Sequence, residues 1–183
     1  FALLVEFLSS KKDLIDGIDY DVEEIVSLDA LVGFHNALNA QIPALKLCFA
    51  PLSGSLQSDD PGMGGFSYKS LLARLSITYF NGQFYADYGP EAFSRAVENG
   101  YAPEMIVMGC LAGQENATGA AVAETARQYP NIGGIFVWEI GQAPPTPVEW
   151  VARMRNALQE AAEPLHKGGA PPVVAILPRC AFM

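Results

Sequence analysis

The segment Asp16-Gly17-Ile18-Asp19-Tyr20-Asp21-Val22-Glu23 alternates acidic with β-branched or aromatic side chains over most of its length. Ile18, Tyr20 and Val22 suit a pleated, half-buried strand. On a strand, residues two apart share a face. The spacing predicts a strand over 15–23 that turns Asp19, Asp21 and Glu23 to one side and Ile18, Tyr20 and Val22 to the other. If helices cover the apolar side, the acids point into a barrel interior or an equivalent cleft. Like-charge repulsion and desolvation then raise the pKa of at least one of them and keep a proton available near neutral pH. Glycoside hydrolysis needs such a proton on the leaving oxygen. Glu23, last in the predicted strand, lies nearest the C-terminal mouth, where barrel active sites are built. On the residues alone three readings stay open: catalysis, a metal site and a structural acidic strand. A calcium loop would need Gly at its sixth position and a looser loop character.

Working outward, short β-rich runs alternate with amphipathic stretches. A helix end is expected over 1–12, then a helix over 27–39 with Ser27 as N-cap. Strands are expected over 44–51, 75–85, 105–110 and 133–140, with helices over 67–73, 90–99, 117–128 and 147–162. Residues 54–66 read as a long loop. This βα alternation implies parallel strands with crossover helices, in either a small open doubly wound sheet or part of a closed barrel. The Gly62-Met63-Gly64-Gly65 run lacks the Lys-Ser/Thr of a phosphate loop and the rest of a dinucleotide fingerprint, so it reads as loop flexibility. Residues 164–183 form a separate tail: Gly-Gly and Pro-Pro pairs, then the apolar run 173–177, read as a linker and a docking segment or extra strand.

Composition bounds the function. Half of the 183 residues are apolar, 17% are charged and the net charge is −9, as expected of a globular chain with a sizeable core. Lys and Arg form no cluster, so nucleic acid is an unsuited partner; Lys11-Lys12 reads as a solvated helix end. Cys48, Cys110 and Cys180 are too few for a disulfide framework, and Cys48 and Cys110 sit in apolar runs as small hydrophobes. No metal-ligand spacing occurs; His35 and His166 read as surface residues, and neither metal nor cofactor is expected. No run is long enough to span a bilayer. Phe1 to Leu8 lacks the basic flank and cleavage site of a signal peptide. The opening without Met, in what reads as a helix, points to a missing N-terminal part. Asn116-Ala117-Thr118 is a sequon that would accept an N-glycan in a secretory compartment.

The acidic segment resembles the DxxDxDxE pattern of glycoside hydrolase family 18, with Asp16, Asp19, Asp21 and Glu23 filling the acidic positions. Further segments are similar in order: 45–51, with its Ala-Pro ending; Asn81-Gly82-Gln83-Phe84-Tyr85, like the sixth strand of plant-type and fungal chitinases; 106–109, like the seventh; and 129–139, with Trp138, like the eighth. The resemblance spans about residues 10–160. It implies a (β/α)8 barrel, of which residues 1–163 supply about strands four to eight. It also implies a glycosidase cleaving β-1,4-linked N-acetylglucosamine, in chitin, chitooligosaccharide or an N-glycan core, by substrate-assisted retaining catalysis. Glu23 would be the proton donor, Asp21 would orient the acetamide, Asp19 would tune Asp21 and Tyr85 would bind the acetamide carbonyl. Gln83, Trp138, Asp16 and Asn81 would bind the sugar, with Trp138 stacked under its ring. One departure is Ala86, where many members carry Asp or Asn; Asp87, one residue on, would face away. The family implies a secreted enzyme. Strands one to three are absent, so the upstream barrel segment is expected to be needed in cis or as a second chain. A chitinase-like lectin or structural subunit that kept the motif without turnover is the competing reading.

Overall fold

The computed structural model describes residues 1–43, 45–113, 119–162 and 180–182. The β-rich runs form β1 (Gly17–Tyr20), β2 (Lys46–Phe49), β3 (Tyr79–Gln83), β4 (Ile106–Leu111), β5 (Gly134–Trp138) and a short β6 (Cys180–Phe182). The helices are α1 (Ala2–Ser10), α2 (Leu28–Gln41), α3 (Ser53–Gln57), α4 (Tyr68–Leu72), α5 (Pro90–Glu98), α6 (Ala120–Gln128) and α7 (Pro147–Ala162). Their starts follow local chemistry. Ser27 Oγ accepts from the Ala30 N–H at 3.3 Å, and Ser67 Oγ from the Ser70 N–H at 3.2 Å, each satisfying a donor that the first turn leaves open. Pro90 opens α5, where its missing N–H costs nothing.

Every pairing is parallel, and the strand order is β5-β4-β3-β2-β1-β6. From β1 to β5 each strand lies beside its predecessor without reversal. A doubly wound sheet reverses its order at a switch point; a (β/α) barrel does not. The two faces differ accordingly. On one, Ile18, Tyr20, Leu47, Phe49, Phe80, Ile106 and Met108 join Leu38, Phe93, Val122 and Met154 of the helices in the main core. Each large side chain buried there stabilises the fold by about 1.5–3 kcal/mol. On the other, Cys48, Tyr79 and Val107 form a smaller cluster against Phe136, the layer that a barrel encloses. This is an α/β arrangement of the barrel kind, with five consecutive strands of the ring.

Three expectations change. The first strand ends at Tyr20, not at residue 23: the Tyr20 carbonyl accepts from the Ala50 N–H at 3.0 Å, and the chain then leaves the sheet. Asp21 and Glu23 therefore lie in the following loop. The expected loop over 54–66 begins inside α3. His35 is not a surface residue; it is 6% exposed, packed edge-on to Tyr20, with the Tyr20 hydroxyl 3.4 Å from Nδ1. Separately, β6 pairs with the side of β1 away from β2, Gly17 opposite Cys180. The run 173–177, His166 and the sequon at Asn116 lie outside the described residues. Cys48 and Cys110 are buried, as their apolar surroundings imply.

Candidate active site

The C-terminal ends of β1, β3 and β5 converge on one cleft. Register does most of the work. Asp19 faces Cys48, Asn81 faces Val107, Gln83 faces Gly109, and Gly109 faces Phe136, so these positions share the face that the helices leave uncovered. Asp19 is fully buried. Its Oδ2 accepts from Asn81 Nδ2 at 2.6 Å. Asp21, just beyond β1, accepts from Gln83 Nε2 at 3.1 Å, and the same amide donates to the Ala50 carbonyl at 2.7 Å. A carboxylate on β1 and one just beyond it are thus held by amides two residues apart on β3. Glu23 is exposed, two residues past Asp21.

Burial raises the Asp19 pKa to about 6; the Asn81 hydrogen bond opposes the rise and the Asp21 charge adds to it. Asp21 is also raised, by desolvation and then by the charge on Glu23, against the Gln83 hydrogen bond. The Tyr85 hydroxyl is pushed up to about 12 by burial and by the neighbouring Asp21, so it remains a proton-bearing donor at neutral pH. Sequence reasoning expected crowding to raise at least one acid of the set, and the raised pair is Asp19 and Asp21.

The cleft has a volume of about 270 Å³ and is lined by Asp21, Asn81, Gln83, Tyr85 and Trp138, among others. Trp138 is 57% exposed, so its indole is a presented surface and not core. Phe136 stands edge-on to Tyr85, with ring centroids 6.5 Å apart. Asp16 is not brought to the cleft: it precedes β1 at the opposite end of the strands, where its carbonyl accepts from the Lys46 N–H. Glu23 stands beside the cleft and does not line it. Glu139 and Ile140 do line it, and sequence reasoning missed both; their only signal is that they follow Trp138. Among the described residues, no group of three or more His, Cys, Asp and Glu is placed to hold a metal ion, and no helix is long and apolar enough to cross a membrane.

No protein-family model and no curated sequence matches the chain; solved structures do. A fungal endo-β-N-acetylglucosaminidase of glycosyl hydrolase family 18 is 25% identical, with a TM-score of 0.71 over 85% of this chain and 59% of that one. A chitinase from Aspergillus fumigatus is 26% identical, with a TM-score of 0.69 over 85% of this chain and 62% of that one. The likeness is to glycoside hydrolase family 18. The catalytic domain of a family 18 chitinase from a fern, at 19% identity and a TM-score of 0.60, shares the fold. The chain spans about three fifths of the length of these relatives. The chain thus matches a part of the barrel of these family 18 enzymes.

The pKa of Asp19 makes a stability prediction. A carboxyl near 6 in the folded protein and 3.8 when exposed binds more protons folded than unfolded between those values. Its contribution is therefore fully present below pH 3.8 and is lost as pH rises through 6. From pH 4 to pH 7 the parent should lose about 2 kcal/mol that Asp19→Asn does not. Denaturant unfolding of both proteins across that range measures the difference; a gap that stays constant with pH would refute the assignment.

Proposed function

We propose that the protein hydrolyses β-1,4-linked N-acetylglucosamine with retention of configuration, the substrate's own acetamide acting as nucleophile. The observation that carries the reading is the pair of amide-held carboxylates, Asp19 with Asn81 and Asp21 with Gln83, beside an exposed Trp138 in one cleft. Glu23 donates a proton to the glycosidic oxygen as the bond to the anomeric carbon breaks. The acetamide carbonyl oxygen closes on that carbon to give an oxazolinium ion, a route outside the two-carboxylate scheme. Water then opens the ring, returning a proton to Glu23. Asp21 accepts from the acetamide N–H and stabilises its developing positive charge, Asp19 tunes Asp21, and Tyr85 donates to the acetamide oxygen. Asn81 and Gln83 supply polar groups to the same sugar. Trp138 offers a flat π surface to the apolar C–H face of the ring, while the hydroxyls take the few polar groups.

The same reading has the barrel closed by further polypeptide. Its support is that, among the described residues, β1 is met on its outer side by Cys180–Phe182 alone and β5 pairs on one side with β4, and an unpaired parallel edge beside an apolar face is an association hazard. The test is hydrolysis of a fluorogenic chitobioside by the chain joined to the segment that closes the barrel, alongside residues 1–183 alone. Turnover by the closed form alone is expected. Binding without turnover in the closed form would establish the lectin reading instead, and equal turnover by residues 1–183 would remove the closing requirement.

A further inference from the structure

Asp87 follows Tyr85 by two residues and turns away from the Trp138 cleft. Its carboxylate gathers three donors: Ser53 Oγ to Oδ1 at 2.8 Å, and Gln57 Nε2 at 2.7 Å and Arg95 Nη2 at 3.1 Å to Oδ2. Arg95 Nε also donates to Gln57 Oε1 at 3.0 Å. Ser53 and Gln57 are the first and last residues of α3, so one carboxylate ties both ends of that helix to the loop leading into α5. A five-residue helix has little stability of its own, and the N-cap of α3, Leu52, makes no side-chain capping bond. This network, with the Asn99 amide donating to the Leu56 carbonyl at 2.9 Å, holds the polar side of α3, while the fully buried Leu56 anchors it in the core.

The position of α3 matters because it walls a second cleft. Leu52, Ser53 and Ser55 face Pro61 and Met63 across a space of about 400 Å³ that also reaches Gln83, Tyr85 and Ala86. The two clefts therefore share Gln83 and Tyr85. Leu52 is also bridged to Gln83 in the sheet, and the Gln83 N–H donates to the Pro51 carbonyl at 2.8 Å. The second cleft thus adjoins the first at Tyr85.

We infer that Asp87 is a positioning residue that sets the α3 wall for the sugars beyond the first, and so fixes affinity for longer substrates without touching them. This rests on the proposed sugar-cleaving role of the site. Ala86 leaves the position after Tyr85 without a polar group, and the carboxylate one residue later is spent on the wall. Loss of ionised hydrogen bonds of this kind costs roughly tenfold in a binding constant.

The experiment compares Asp87→Ala with the parent, both joined to the segment that closes the barrel, on a fluorogenic chitobioside and on chitohexaose. The KM for the hexamer should rise about tenfold, with kcat and the KM for the short substrate unchanged. Gln57→Met, which removes a donor to Asp87 and the acceptor for Arg95 while keeping the chain length, should shift the hexamer KM in the same direction; it carries the test if Asp87→Ala does not fold. Equal effects on both substrates, a fall in kcat alone, or no effect would each overturn the inference. A parent protein that cleaves neither substrate would instead overturn the proposed function.

Discussion

Glu23→Gln should lower turnover on β-1,4-linked N-acetylglucosamine at least about 100-fold, the low end of what general acid–base catalysis supplies, while sugar binding is kept. The change removes the transferable proton and keeps the shape. Asp19 and Asp21 are each engaged by an amide from β3, which commits an oxygen of each to a fixed donor. Glu23 is exposed at the loop beyond β1 and close enough to Asp21 for its charge to be felt there. In the proposed mechanism it is the member of the set that meets the glycosidic oxygen. Steady-state rates and oligosaccharide titration on the same preparation separate the two effects. A Gln variant as fast as the parent would take the acid role from Glu23; one that loses binding in proportion to rate would make Glu23 a binding residue. Asp21→Asn is the informative companion, since it keeps an acceptor for Gln83 but loses the charge that the proposed mechanism sets against the acetamide.

Much of this architecture is legible in the sequence, because local periodicity and caps carry it. Ser27 and Ser67 precede their helices, and α7 spans 147–162 as its pattern implies. The β-rich runs all contain strands, though shorter ones: pairing stops where a neighbour's backbone turns away, and periodicity does not register that. The alternation over 15–23 continues past Tyr20, yet Ala50 is the last residue there to bond back to β1. Burial of His35 was missed because its partner, Tyr20, belongs to another element. The same holds for Asp87. Parity with Gln83 and Tyr85 would aim it at the cleft, but β3 ends at Gln83 and its carboxylate is taken by Ser53, Gln57 and Arg95, which only the fold assembles. Asp16 shows the converse: a motif position read as sugar-binding stands at the far end of the strand, because a β-strand rises about 3.3 Å per residue and separates the ends of any motif it carries.

Gly109→Ala should cost the fold about 1–3 kcal/mol, the usual range for an extra methylene forced into a packed site, and should impair catalysis as well. Gly109 lies on β4 between Gln83 and Phe136 in register. A Cβ built there would fall on the Phe136 ring itself, so the ring must move. It packs with Cys48, Tyr79 and Val107 on the inward face, stands edge-on to Tyr85 and lines the cleft with Trp138. Displacing it either opens that inward layer or drives the ring into the space offered to the sugar. Gly33→Ala is the control. Gly33 sits exposed within α2, and a Cβ there meets nothing within 4 Å, so the same substitution should stabilise by about 0.5–1 kcal/mol through helix propensity. Thermal and denaturant unfolding of both variants, with KM measured on the chitobioside, test the contrast. A second cycle with Phe136→Ala isolates the contact: once the ring is gone, the added methyl at 109 should cost little, and the two substitutions should be far from additive. A Gly109→Ala protein as stable as its parent would mean that Phe136 does not lie over β4, and the inward face of the sheet would have to be redrawn.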